Sequence, residues 1–183
     1  MLAIISPAKS LDFDSAIPPV SPTQNRFPDE TERLAKAIKN LTTKKLKAIM
    51  PVSDNLIALN QQRYSDFFAQ PERPAIYAYN GDVYTGFEAA SISEEAMTFA
   101  QGHLRILSGL YGLLRPLDPI RPHRLEMGTK WAPRYNKLTD FWKDKIAAAL
   151  AADLEQTGSD TIVNLASNEY WASVKPYIAK LPG

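Results

Sequence analysis

The chain of 183 residues contains no cysteine and only two histidines, His103 and His123. Without thiols there can be no disulfide, zinc–thiolate site, iron–sulfur cluster or cysteine nucleophile. Two isolated histidines outside any H-E-x-x-H pattern make a poor metal case, so neither a metal nor a cofactor is expected. Long apolar runs are missing too, none approaching the roughly 20 residues that span a bilayer. The opening Met1-Leu2-Ala3-Ile4-Ile5-Ser6 lacks the basic region and apolar length of a signal peptide. A cytoplasmic protein with no membrane partner is the expectation. Nor is there an excess of either charge, because 21 Lys and Arg face 20 Asp and Glu, a formal net charge of +1. With 45% hydrophobic and 22% charged residues, the composition is that of an ordinary globular chain. Its length suits one domain over 1–183.

What is present reads as alternating strand and helix signals. Residues 2–5 form a short apolar run stopped by Ser6-Pro7, which suits a buried strand. Pro7, Pro18, Pro19, Pro22 and Pro28 then impose a long loop. Leu34, Ala37, Ile38 and Leu41 follow Asp29-Glu30 at helical spacing. A second helix, 44–50, stops at Pro51, and Ser53 caps a third running to Tyr64 with Leu56, Ile57 and Leu59 facing inward. Residues 75–79 read as a strand entering a turn at Asn80-Gly81. Ser91 or Ser93 starts a helix through Met97, Ala100, Leu104 and Leu107 to Gly109, and Thr139 caps another through Leu154 to Gly158. Residues 161–165 form the third strand, with Ser167 or Asn168 opening a short helix after it. The fold class is α/β, of mixed α+β character: a single domain with a small mixed sheet flanked by helices. Three strands are few for so many helices. Either strands remain undetected or the chain is part of a longer one, with a sheet edge left open near Gly183.

Charge is unevenly placed. Residues 103–137 carry seven Lys and Arg against Asp118 and Glu126, a local net charge of +5 that leaves −4 for the remainder. Tyr111, Trp131 and Tyr135 interleave with these cations and can stack on bases or guanidinium planes. A solvated face with internal ion pairs is the competing reading. Within the segment, Gly109 and Gly112 frame a turn that could offer backbone N–H groups to a phosphate, like a degenerate helix-hairpin-helix loop, although Gly109 would serve equally as a helix C-cap. Lys9 follows the first strand, well placed to meet an anionic ligand or to pair with Asp12 or Asp14. It belongs to no P-loop. Asp82 could act as a base, orient a cation or close a turn. Glu126 and His123 are further acid–base candidates, while Ser167 is explained by helix capping alone.

Taken together, these pieces resemble the YaaA family of peroxide stress proteins. The resemblance rests on Ile5-Ser6-Pro7-Ala8-Lys9-Ser10-Leu11-Asp12, on Gly81-Asp82-Val83-Tyr84-Thr85-Gly86, and above all on Leu104-Arg105-Ile106-Leu107-Ser108-Gly109-Leu110-Tyr111-Gly112-Leu113-Leu114-Arg115-Pro116-Leu117-Asp118. It continues through Pro122-His123-Arg124-Leu125-Glu126-Met127-Gly128, Phe141-Trp142 and Asn164-Leu165-Ala166-Ser167-Asn168-Glu169-Tyr170. His123 stands where the family pattern has Tyr, and Asn168 where it has Asp. Similar family members continue past Lys180, so the resemblance implies a domain that is incomplete at its C-terminus. It implies a cytosolic bacterial protein of the hydrogen peroxide response that limits iron-dependent damage, with a helix-hairpin-helix-like element and a basic cleft for DNA. On the matching positions, that cleft comprises Arg105, Gly109, Gly112, Arg115, Arg121 and Arg124. No enzymatic reaction comes with the resemblance.

Two expectations follow. The first is sequence-independent binding of duplex or junction DNA through its backbone, since no recognition helix is apparent. The alternative is an enzyme acting on a nucleotide or other small phosphorylated ligand, with Lys9, Asp82 and Arg115 converging at strand ends and Glu126 beside them. Convergence of these side chains in one small pocket favours the enzyme; cations lining an open groove favour DNA.

Overall fold

A computed structural model describes residues 1–181 of the chain. In chain order the elements are β1 (Leu2–Ile5), β2 (Ser10–Leu11), α1 (Pro28–Lys39), α2 (Thr43–Ile49), α3 (Asp54–Ser65), β3 (Arg73–Pro74), α4 (Ala75–Ala78), β4 (Tyr79–Asn80), α5 (Asp82–Phe87) and α6 (Glu94–His103). There follow β5 (Leu104–Ser108), β6 (Gly112–Leu114), β7 (Pro119–Ile120), α7 (Leu138–Trp142), α8 (Lys145–Thr157), β8 (Ile162–Asn164) and α9 (Asn168–Trp171). Short 3-10 helices lie at Phe67–Ala69 and Lys175–Lys180. The architecture is mixed α/β.

The main sheet has the order β6-β5-β1-β8. β1 is parallel to both neighbours, with Ile4 opposite Arg105 on one side and Asn164 on the other. Its unbroken Leu-Ala-Ile-Ile run suits a central strand covered on both faces. β6 returns antiparallel to β5. Two-stranded ladders pair β2 with β4 and β3 with β7. The expected open edge near Gly183 falls outside the described residues; among those described, β8 has a strand on one side only.

Local chemistry sets most helix ends. Pro28 opens α1, with Asp29 and Glu30 in its first turn, and Leu34, Ala35 and Ile38 are buried. Thr42 accepts the Lys45 N–H to cap α2, and Ser93 accepts the Ala96 N–H to cap α6. Gly158, at φ 61°, ends α8 in the left-handed conformation.

Several expectations are corrected. Leu56 and Leu59 are exposed, and Ile57 carries the buried face of α3. Residues 75–78 are one helical turn, and only Tyr79 and Asn80 pair as a strand. Residues 82–87 are helical rather than a loop. The helix expected to run to Gly109 ends at His103, and 104–108 form β5. Leu104 and Leu107 keep helical spacing with Met97 and Ala100, but pairing with β1 overrides that period. The expected single helix from Thr139 is broken at Lys143, whose φ of 47° no helix interior tolerates. The Gly109–Gly112 turn therefore joins two strands, not two helices, and residues 104–114 are buried throughout. The Ser108 hydroxyl accepts the Tyr111 N–H across this turn, in place of an external phosphate.

Candidate functional site

The three parallel strands end on one edge of the sheet, the edge where open α/β sheets place their ligands. β1 gives way there to Ser6-Pro7-Ala8-Lys9, β5 to the Ser108 turn, and β8 to the segment leading to Ser167. The pieces are tied together directly. Ser6 Oγ accepts the Ser167 N–H at 2.9 Å, and the Tyr84 hydroxyl donates to the Ser6 carbonyl at 2.9 Å. Between them lies a narrow cleft whose cavity is only about 20 Å³, room for about one water. Its walls include Lys9, Tyr79, Ser108, His123, Arg124, Glu126 and Tyr170.

Two glycines let the wall at 123–128 approach this closely. A Cβ on Gly109 would sit 2.2 Å from the Leu125 carbonyl oxygen, so only glycine allows the β5–β6 turn to pack beneath that backbone. Gly128 donates its N–H to Glu169 Oε1 at 2.9 Å, anchoring the wall to α9. Gly112, at φ 72°, packs against the Trp142 ring.

The cleft mouth carries charge and its floor carries neutral polar groups. Glu126 Oε1 accepts from Arg124 at 2.6 Å and faces Lys9 Nζ at 3.9 Å, so one carboxylate holds two cations. Lys9 is largely exposed and Arg124 largely covered. On the floor, the Tyr79 hydroxyl is buried beside Ser108 without a well-formed hydrogen bond. Burial pushes the phenol pKa values of Tyr79 and Tyr170 upward, so both remain protonated donors. His123 Nδ1 lies 2.7 Å from the Arg121 carbonyl oxygen. A carbonyl only accepts, so Nδ1 bears the proton and Nε2 of the neutral ring is an acceptor. Burial holds the imidazole neutral by lowering its pKa to about 4.

The sequence candidates separate into three groups. Lys9, Glu126 and Arg124 meet in the cleft. Arg105 is buried and gives its Nε to Asp153 Oδ2 at 2.6 Å, while Arg26 holds the other oxygen of that carboxylate. Arg115 pairs with buried Asp118 at 2.9 Å, and Arg121 pairs with Glu72 at 2.8 Å. Asp82 lies exposed in the first turn of α5, away from the cleft walls. Sequence reasoning passed over Tyr79, Ser108 and Tyr170. Ser108 carries a detectable signal, a polar residue at the end of the parallel strand β5, whereas Tyr170 is carried by α9, the helix that follows β8. Among the described residues, no group of three or more His, Asp or Glu is arranged to hold a metal, and no helix is long and apolar enough to cross a membrane.

Fold and site together define a mixed α/β protein with a polar cleft at the carboxyl ends of its parallel strands. The family model described as peroxide stress protein YaaA matches residues 1–182, and the chain belongs to that family. A UPF0246 protein of Rhizorhabdus wittichii is 58% identical over 175 residues, covering 95% of this chain and 69% of the relative. UPF0246 proteins of Idiomarina loihiensis and Saccharophagus degradans are each 49% identical, covering 97% and 96% of this chain and 71% of each relative. The family description points to a role in the peroxide stress response.

Proposed function

We propose that the chain serves the peroxide stress response by binding a small phosphorylated ligand at the mouth of the strand-end cleft, where Lys9 and Arg124 meet Glu126. The observation that carries this reading is the Glu126 carboxylate, which bridges Lys9 and Arg124 above a floor of neutral hydrogen-bonding groups. An internal carboxylate between two cations occupies the position an oxyanion would take, and a phosphate can displace it and accept from both. The Tyr79 hydroxyl, buried and unsatisfied, is a donor left over for the same ligand. This is the small-molecule reading of the sequence, narrowed to Lys9 and Glu126, with Arg124 replacing Asp82 and Arg115. Calorimetric titration with inorganic pyrophosphate and with a nucleoside monophosphate tests it. Lys9→Met and Arg124→Met should each weaken binding by about tenfold or more. Equal binding by both variants and the parent removes the cleft from consideration.

DNA binding is kept as a second reading because of one observation. Lys130, Arg134 and Lys137 are exposed, and no acid lies within ion-pair distance of them among the described residues. Lys143 Nζ stands 5.4 Å over the Tyr135 ring and Arg33 5.3 Å over Phe141, so cations and aromatics gather around this loop. A duplex backbone would meet this surface rather than Arg105, Arg115 and Arg121, which already have acidic partners.

A further inference from the structure

Tyr79, which lines the strand-end cleft, also lines a second, larger recess of about 320 Å³. Tyr77, Tyr79, Tyr84 and Ala89 supply apolar wall, and Asp12 and Glu88 supply carboxylates. Arg73 opens onto the same space from β3 and is only 9% exposed. Its Nε donates to the Tyr77 carbonyl at 3.1 Å. Its two terminal nitrogens have no hydrogen-bond acceptor among the described residues, and no carboxylate comes within 4.0 Å. The adjacent acid, Glu72, is engaged with Arg121. Asp12 feels the Arg73 charge at a distance, and its Oδ1 accepts the N–H groups of Asp14 and Ser15.

A guanidinium that is nine-tenths buried without an ion pair is costly unless something satisfies it. The other arginine buried to this degree among the described residues, Arg105, is paired with Asp153. The fork of Arg73 has a planar face and free N–H groups directed at an aromatic-walled recess, which matches a carboxylate bidentately. The charge balance of the recess selects among anions. Asp12 and Glu88 would repel a doubly charged phosphate more strongly than a singly charged carboxylate, and three tyrosines favour a flat apolar body.

We propose that this recess is a binding site for a small aromatic monocarboxylate, whose carboxylate is held by Arg73 and whose ring packs among Tyr77, Tyr79 and Tyr84. The site shares Tyr79 with the phosphate cleft, but Arg73 and the rest of its walls are its own. It is tested by titrating the full chain with benzoate, phenylacetate and inorganic phosphate, following tyrosine-region chemical shifts and heat. Benzoate or phenylacetate should bind and phosphate should not compete. Arg73→Gln should weaken carboxylate binding by about tenfold to a hundredfold, and Thr85→Trp, at an exposed position on the recess wall, should block it while leaving Arg73 in place. Because Arg73→Gln could perturb β3, Thr85→Trp is the control that keeps the outcome decisive. No carboxylate binding by the parent chain, or unchanged binding in a folded Thr85→Trp variant, overturns the proposal. Displacement of the carboxylate by phosphate would assign the recess to oxyanions in general and likewise overturn it.

Discussion

Two stretches of the same basic segment behave in opposite ways. In 103–126 every arginine is committed to an acid: Arg105 to Asp153, Arg115 to Asp118, Arg121 to Glu72 and Arg124 to Glu126. Two of those partners lie far away in sequence, one before the segment and one after it. In 130–137 the cations stand exposed on a loop beside Trp131 and Tyr135. A charge count over the whole segment treats them alike. The comparison teaches that local charge density does not decide exposure: the arginines of 105–124 are drawn into internal pairs by acids the fold brings to them, whereas the cations of the 130–137 loop project into solvent.

The comparison can be broken most severely at Arg105. Replacing it with Met strands a buried Asp153 carboxylate with Arg26 alone, and should cost about 3–5 kcal/mol in urea unfolding. A variant with unchanged stability and lost DNA binding would move Arg105 to the surface group.

His123 gives the next largest effect, through pH. Its folded pKa of about 4 lies below its ordinary 6.5, so the folded chain binds fewer protons between those values. The resulting stability is fully present above about pH 6.5 and is lost as pH falls toward 4, roughly 3 kcal/mol over the range. His123→Gln can still donate to the Arg121 carbonyl but cannot titrate, and should flatten this part of the stability–pH curve. Equal acid slopes for parent and variant would assign the loss to other groups.

At the exposed end, Arg134→Ala combined with Lys137→Ala should change stability by less than about 0.5 kcal/mol. If DNA binds through this loop, the salt dependence of its affinity should fall by about two units of slope in filter-binding or anisotropy titrations. An unchanged slope would remove the loop from the DNA surface.

Much of the frame was legible in the sequence because local chemistry decides it. The apolar run at the start is β1, Asp29-Glu30 and Ser93 mark helix starts, and Gly158 marks a stop. Where tertiary pairing decides, the sequence misled. Leu104 and Leu107 continue a helical period although β1 draws them into a strand, and Gly109 looks like a helix cap although its role is close passage under Leu125. The site was half legible for the same reason. Lys9, His123, Arg124 and Glu126 stand in polar motifs that invite attention, whereas Tyr79, Ser108 and Tyr170 acquire meaning only when three strand ends meet. Arg115 and Asp82 lie close to strand signals in sequence and still face elsewhere, because Asp118 captures the first and helix α5 carries the second.

The central claim is that Glu126 holds the place of a ligand phosphate between Lys9 and Arg124. Its most direct test is pyrophosphate affinity in Glu126→Gln against the parent chain, measured by calorimetry at one salt concentration. Removing the internal anion while keeping the side-chain shape should tighten binding by about tenfold. Weaker or equal binding in a folded Glu126→Gln protein would contradict the claim.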